Sequence, residues 1–284
     1  MCALIADRPS PVQFPSELTL VQAPPVSDIP SEFPSTPGIY RDGWVDLNKN
    51  NRKDVYEDPR APIERRLDDL LSQMTTDEKT CQLATLYGWK AVLKDQLPTK
   101  EWKSKIWKDG IANIDEQLNS KWGGKDGSQY FWPPSRHAAA LNEIQRFFVE
   151  QTRLGVPVDF TNEGIQGCAS FAGTHFPIPT GMGATWDLDL IRREGEITGL
   201  ENRLLGFTTV YAPILDVVRD QRWGRSEESF SEDPFLLTQM GVTTAKAIQA
   251  HGSASCAKHF AVYSFNKGAR EGLSRTDPHV APRM

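Results

Sequence analysis

A surplus of positive charge is missing from this sequence, and so are long apolar runs and paired cysteines. Its 32 Lys and Arg stand against 37 Asp and Glu, a net charge of −5. Without a basic footprint, nucleic acid is not an expected partner. No apolar stretch approaches the ~20 residues needed to cross a bilayer, so no membrane span is expected. The four cysteines fall at positions 2, 81, 168 and 256 with no CxxC spacing, which argues against a zinc site. Cys81 and Cys256 sit in apolar periodic stretches and are expected as buried thiols, with a disulfide left open. No glycine-rich turn of the phosphate-cradling kind precedes a helix, which weighs against a phosphate-binding enzyme. The segment from Met1 to Arg8 is too short an apolar stretch for a signal peptide. The expectation is a cytoplasmic chain, or one whose true start lies upstream.

What is present begins with aromatics. Eight tryptophans in 284 residues are many. Their faces suit sugar rings, but a core position is the default for any one of them. Trp132 and Trp223 could serve as platforms or as packing. Residues 8–38 are rich in proline and serine and read as an extended leader that wraps a surface or stays mobile. We take the leader as 1–58 and the main domain as 59–284.

Inside the leader, residues 46–57 fit a twelve-residue calcium loop. Its oxygens would come from Asp46, Asn48, Asn50, the Arg52 carbonyl, Asp54 and Glu57. Its sixth position is Asn51 rather than glycine, and asparagine tolerates the left-handed backbone required there. The flanks do not read as an EF-hand helix pair, and Asp/Asn-rich segments also form plain turns. Any such ion would be structural.

Periodicity then sets out the domain. A helix is expected from Pro62, with Ile63, Leu67, Leu70, Leu71 and Met74 on one apolar stripe. Thr75 and Glu78 match a capping box that starts a second helix carrying Cys81, Leu83 and Ala84 inward. Residues 110–115 read as a short strand and 138–154 as a helix stopped by Gly155. From there strands at 157–162, 208–217 and 254–262 alternate with helices at 188–205 and 234–250, capped by Asp187 and Asp233. That order means parallel strands joined by crossover helices.

Polar residues collect at the ends of those strands. Glu163 closes the first, Arg222 and Arg225 follow the second, and Lys258-His259 lie in the third. Loops from successive parallel strands converge at the C-terminal edge, so these groups would line one mouth. Each has a plainer reading. Glu163 could be a turn residue, and Arg222 and Arg225 could pair with Glu227, Glu228 or Glu232. A lysine in an apolar strand, however, needs a partner. Together the clusters favour a polyol-binding pocket.

The same residues resemble a known family. Asn162-Glu163-Gly164-Ile165-Gln166-Gly167 is one matching segment, and Phe176-Pro177 through Gly181-Met182-Gly183-Ala184-Thr185-Trp186-Asp187 is a second. Ala212-Pro213-Ile214-Leu215-Asp216-Val217, Arg222-Trp223-Gly224-Arg225, Glu232-Asp233-Pro234 and Ala257-Lys258-His259-Phe260 follow in order. Over residues 60–284 the chain is similar to the N-terminal domain of family 3 glycoside hydrolases, the β-glucosidase and β-xylosidase group. The resemblance implies an α/β fold, here roughly the first half of a (β/α)8 TIM-type barrel. It implies a −1 subsite in which Glu163, Arg225, Lys258 and His259 hold the sugar while Arg222 braces the loop. The implied reaction is retaining hydrolysis at the non-reducing end of a β-linked oligosaccharide, with no required cofactor. That chemistry needs two carboxylates about 5–5.5 Å apart.

The sequence also departs from the family pattern. The family's nucleophile is the aspartate of a Ser-Asp motif on a later barrel strand, which is not reached before Met284, and the usual acid/base belongs to a second domain. A chain without them is expected to be inactive alone, or to act as a non-catalytic sugar-binding fragment. An open half barrel is expected to fold poorly, because it leaves a strand edge unpaired and apolar faces uncovered. Asp277-Pro278-His279 resembles the Asp-x-His dyad of the β-N-acetylglucosaminidase branch. The Gly-His-Gly that follows Lys-His-Phe there is replaced by Ala261-Val262-Tyr263. A helix cap is the plainer reading of Asp277. A full-length parent of this type is expected in the periplasm or outside the cell.

Overall fold

The computed structural model describes residues 29–119, 127–260 and 263–264. Its centre is a five-stranded, all-parallel sheet in the order β3 (Thr85–Tyr87), β4 (Asn113–Asp115), β5 (Asp159–Glu163), β6 (Thr209–Tyr211) and β7 (Ala254–Ser255). Before it come a small hairpin, β1 (Tyr40–Arg41) with β2 (Trp44–Val45), and helices α1 (Ile63–Gln73) and α2 (Thr76–Cys81). Helix α3 (Pro134–Gln151) crosses from β4 to β5, and the short α4 (Pro179–Gly183) follows β5. Helices α5 (Leu188–Leu205) and α6 (Pro234–Gln249) cross to β6 and β7. Spatial order follows chain order, which is how a (β/α)8-type barrel begins. Among the described residues the sheet does not close, so the fold is a partial barrel. No helix among them is long and apolar enough to cross a membrane.

Local chemistry explains where the helices start. The Asp187 carboxylate accepts from the Asp189 and Leu190 amides, and Asp233 does the same for Phe235 and Leu236. The Thr75 and Glu78 capping box forms in both directions. Helix α3 begins at Pro134 and ends at Gln151, earlier at both ends than the expected 138–154. Proline suits a first helical turn, because its missing N–H has no partner there anyway. The inner face of α3 places Leu141, Ile144, Phe147 and Phe148 against Ile114 and Phe160 of the sheet. Trp102 and Phe147 meet edge to face at 5.9 Å. A second cluster joins Met182, Ile191, Val217, Phe230, Leu237 and Met240 between α4, α5 and α6.

Helices α5 and α6 approach backbone to backbone. A Cβ on Gly199 would lie 2.7 Å from the Ile248 carbonyl oxygen, and one on Gly195 would lie 2.8 Å from the Ala247 Cβ. Only glycine permits that spacing.

Several expectations need correction. The strand expected over 208–217 is limited to Thr209–Tyr211, because Pro213 lacks the N–H that a ladder needs. Pairing resumes only as a single bridge, Ile214 with Lys258, and the expected 254–262 strand is likewise reduced to two residues and that bridge. Residues 261–262 lie outside the described set. The α1 stripe is covered only toward its end, where Leu70 is half-buried and Met74 buried. Ile63 is 63% exposed, Leu67 51% and Leu71 47%. That helix is held instead by polar ties to the turn at 55–57, with Asp69 accepting from the Tyr56 amide and Arg66 donating to the Tyr56 carbonyl. Leu83 is exposed because α2 ends at Cys81 and the helical period stops there. Cys81 and Cys256 are half-buried, since one ends a short helix and the other follows the edge strand β7. Cys168 is the buried thiol, and all three are free.

The leader, from residue 29 on, wraps α3. Glu150 accepts from the Thr36 amide at 2.7 Å and from the Tyr40 hydroxyl at 3.0 Å. Arg146 donates to the Ser31 hydroxyl and the Phe33 carbonyl.

Candidate functional site

The C-terminal tips of β5, β6 and β7 bring four of the five expected sugar contacts together. Glu163, at the end of β5, accepts from the Lys258 ammonium through both oxygens at 2.8 and 2.7 Å. The ammonium also lies 5.6 Å from the centre of the Tyr211 ring. Lys258 is joined to His259 by a cis peptide. The His259 ring meets Asp216 through Nδ1 at 2.7 Å and Arg225 through Nε2 at 3.2 Å. Arg225 is gripped by Glu228, which accepts its Nε–H at 2.8 Å and takes a second bond from Nη2. That fork raises the guanidinium's pKa further, against the opposing effect of burial. Tyr263 covers the group, 4.6 Å from the His259 ring and 5.7 Å from the Arg225 guanidinium.

Arg222 does not join them. It turns back on Asp220, donating through Nε and Nη2, and its side chain is 72% exposed. Those bonds lower the Asp220 carboxyl to about 2. The plainer expectation for the arginines is thus met for Arg225 with Glu228, while Arg222 takes Asp220 and none of Glu227, Glu228 or Glu232. Trp223 is buried and packs edge to face on Tyr263, whereas Trp132 is exposed. Asp277 and His279 lie outside the described residues.

Sequence reasoning assigned no site role to Asp216, Asp115 or Tyr263, and offered Glu228 only as an ion-pair partner for the arginines. Asp216 did carry a signal, since it is the single charged residue in the apolar stretch 210–218. A charge buried there must find a partner. Asp115 ends β4 and accepts from the Thr161 hydroxyl at 2.7 Å. Burial raises its carboxyl to about 6, with Glu163 pushing it further up and Lys258 pulling it down.

Residues 46–57 form a self-bonded loop. Asp46 accepts from the Asn50 and Asn51 amides, and Glu57 from the Leu47, Asn48 and Asp54 amides. Asp54 accepts from the side-chain amides of Asn48 and Asn50. Asn51 has φ +63°, the left-handed backbone expected at that position. Among the described residues no three His, Cys, Asp or Glu side chains are grouped to hold a metal. An ion would require Asn48 and Asn50 to present oxygen where they now present nitrogen.

A parallel α/β sheet in chain order, with charged side chains gathered at its carboxyl edge, defines a barrel-type domain. The chain belongs to glycosyl hydrolase family 3: residues 75–279 match the Glycosyl hydrolase family 3 N terminal domain. It is 32% identical to a periplasmic beta-glucosidase of Salmonella typhimurium over 72% of this chain and 24% of that protein. It is 28% identical to a periplasmic beta-glucosidase/beta-xylosidase of Dickeya chrysanthemi over 79% of this chain and 35% of that one. A crystal structure of beta-glucosidase from Listeria innocua in complex with glucose superposes with a TM-score of 0.54 at 28% identity, covering 71% of this chain and 27% of that one. The chain therefore spans about a quarter to a third of the length of these relatives.

Proposed function

We propose that this chain carries the sugar-gripping part of a retaining, exo-acting β-glycosidase of the β-glucosidase or β-xylosidase type, acting on β-linked oligosaccharides. The supporting observation is the continuous line of contacts from Glu163 through Lys258 and His259 to Arg225. In this reading Glu163 accepts from sugar hydroxyls while Lys258 and Arg225 donate to them, and His259 lies between. Arg222 acts on the site only through its hold on Asp220 within the same loop. The nucleophile and the acid/base are supplied from outside this chain, so the chain alone should not turn over substrate. The names of the Salmonella and Dickeya proteins support a periplasmic setting for the parent.

Isothermal titration of the full chain tests this reading. Glucose or xylose is expected to bind in the millimolar range, and Glu163→Gln to weaken it about tenfold. Para-nitrophenyl β-glucoside should not be hydrolysed. Absence of binding by both sugars sinks the reading, and turnover by the purified chain overturns the inactivity. Tighter binding of N-acetylglucosamine than of glucose would favour the N-acetylglucosaminidase branch with Asp277 and His279.

For residues 46–57 we propose a structural calcium site, supported by the ligand order and by the left-handed Asn51. Millimolar calcium is expected to raise the Tm. A Tm indifferent to calcium and to chelator removes the ion from the account.

A further inference from the structure

We infer that Asp216 is a positioning residue that holds His259 in the tautomer protonated on Nδ1, leaving the Nε2 lone pair to accept from Arg225 and so to aim that guanidinium. Its consequence for binding rests on the proposed sugar site; the tautomer itself does not. The Asp216 side chain is almost fully buried, and its Oδ2 lies 2.7 Å from Nδ1 and 3.1 Å from the His259 backbone nitrogen. A carboxylate only accepts, so the ring nitrogen facing it carries the hydrogen. On the other side of the ring, Arg225 Nη1 lies 3.2 Å from Nε2. A guanidinium only donates, so Nε2 must present its lone pair. Both neighbours impose the same tautomer. The opposite one would set an imidazole N–H against an arginine N–H and leave Asp216 facing a lone pair.

Glu228 completes the arrangement by holding Arg225 through two bonds. The line Asp216, His259, Arg225, Glu228 alternates acceptor and donor without a break. It fixes the polarity of the cradle, with Glu163 accepting and Lys258 and Arg225 donating, while the His259 Nε2 lone pair is taken up by Arg225. Adjacent ring hydroxyls can donate to one member and accept from the next, which suits a vicinal diol. Asp216 has no other role in that cradle, since it faces the far side of the imidazole.

Long-range 15N–1H histidine spectra of the labelled full chain at neutral pH test the assignment, with the signal identified by its loss in His259→Gln. The wild-type chain is expected to show a protonated Nδ1 and a bare Nε2. Asp216→Ala should move the proton to Nε2 and weaken glucose binding about tenfold. Asp216→Asn, whose amide oxygen still accepts, should keep part of both properties at an unchanged Tm. Arg225→Lys should leave the tautomer as it is. A wild-type Nε2–H signal, or a tautomer that switches in Arg225→Lys but not in Asp216→Ala, overturns the inference. The expected tautomer without any glucose affinity upholds Asp216 and sinks the sugar reading instead.

Discussion

Lys258→Met should abolish measurable glucose binding and also lower stability. The Lys258 side chain is 13% exposed, and its ammonium is bonded to both oxygens of Glu163, whose side chain is 23% exposed. Methionine keeps the length and the apolar stem but gives up the charge and every donor. A charged hydrogen bond contributes about 1.5–3 kcal/mol, so the affinity should fall about 100-fold, beyond detection for a millimolar ligand. The second effect needs no ligand. Removing Lys258 leaves Glu163 as a partly buried, uncompensated carboxylate, which should destabilise the fold by about 1–3 kcal/mol. Adding Glu163→Gln to Lys258→Met should restore part of that stability and none of the binding. Asp115 should titrate higher in the single variant, because the attraction that lowers its pKa has gone. Urea denaturation and sugar titration of the three chains decide it. A stability unchanged by Lys258→Met contradicts the ion pair, and full affinity contradicts the site.

Glu194→Gln should stabilise the chain increasingly as pH rises above about 4.5, and most fully above neutral pH. Glu194 lies on the buried face of α5, 4% exposed, and accepts a hydrogen bond from the Thr198 hydroxyl. Burial raises its carboxyl from 4.5 to about 7. Below pH 4.5 folded and unfolded chains both hold the proton, and the side chain carries no penalty. Between 4.5 and about 7 the unfolded chain ionises first, so stability falls as pH rises. Above about 7 the loss is complete, about 3 kcal/mol for a shift of this size. Glutamine retains the shape and an acceptor for Thr198 but cannot ionise. Denaturation curves of the two chains should therefore converge near pH 4 and separate by up to about 3 kcal/mol at pH 8. Parallel curves across that range would show that Glu194 ionises no differently in the fold.

Local chemistry made the helices easy to read in the sequence. The Asp187, Asp233 and Thr75 caps bond to amides two or three residues away, and α5 begins and ends at the expected residues. Strands were read too long, because a ladder depends on partners distant in the chain and Pro213 interrupts it. The stripe on α1 misled for a different reason. Periodicity shows that Ile63, Leu67 and Leu71 share a face, but not that a neighbour covers it. At the site, Glu163, Arg225, Lys258 and His259 were legible because charged residues at the ends of apolar strands point to one edge. Arg222 looked equivalent to Arg225 in sequence. The difference lies in where the loop turns between them, which only coordinates reveal. Glu228 was readable as a nearby partner for Arg225, three residues away, whereas Asp216 meets His259 from 43 residues off, and no spacing rule announces such a pairing.

The glycine contact between α5 and α6 bears on how this mouth would meet a guest. Each helix is continuous with two of the strands whose tips carry Glu163, the Arg225 loop and Lys258. With Gly199 set against the Ile248 backbone, one tip cannot slide past another without breaking that contact. The cradle is thus preorganised, its ordering entropy already accounted for in folding rather than at the moment of capture.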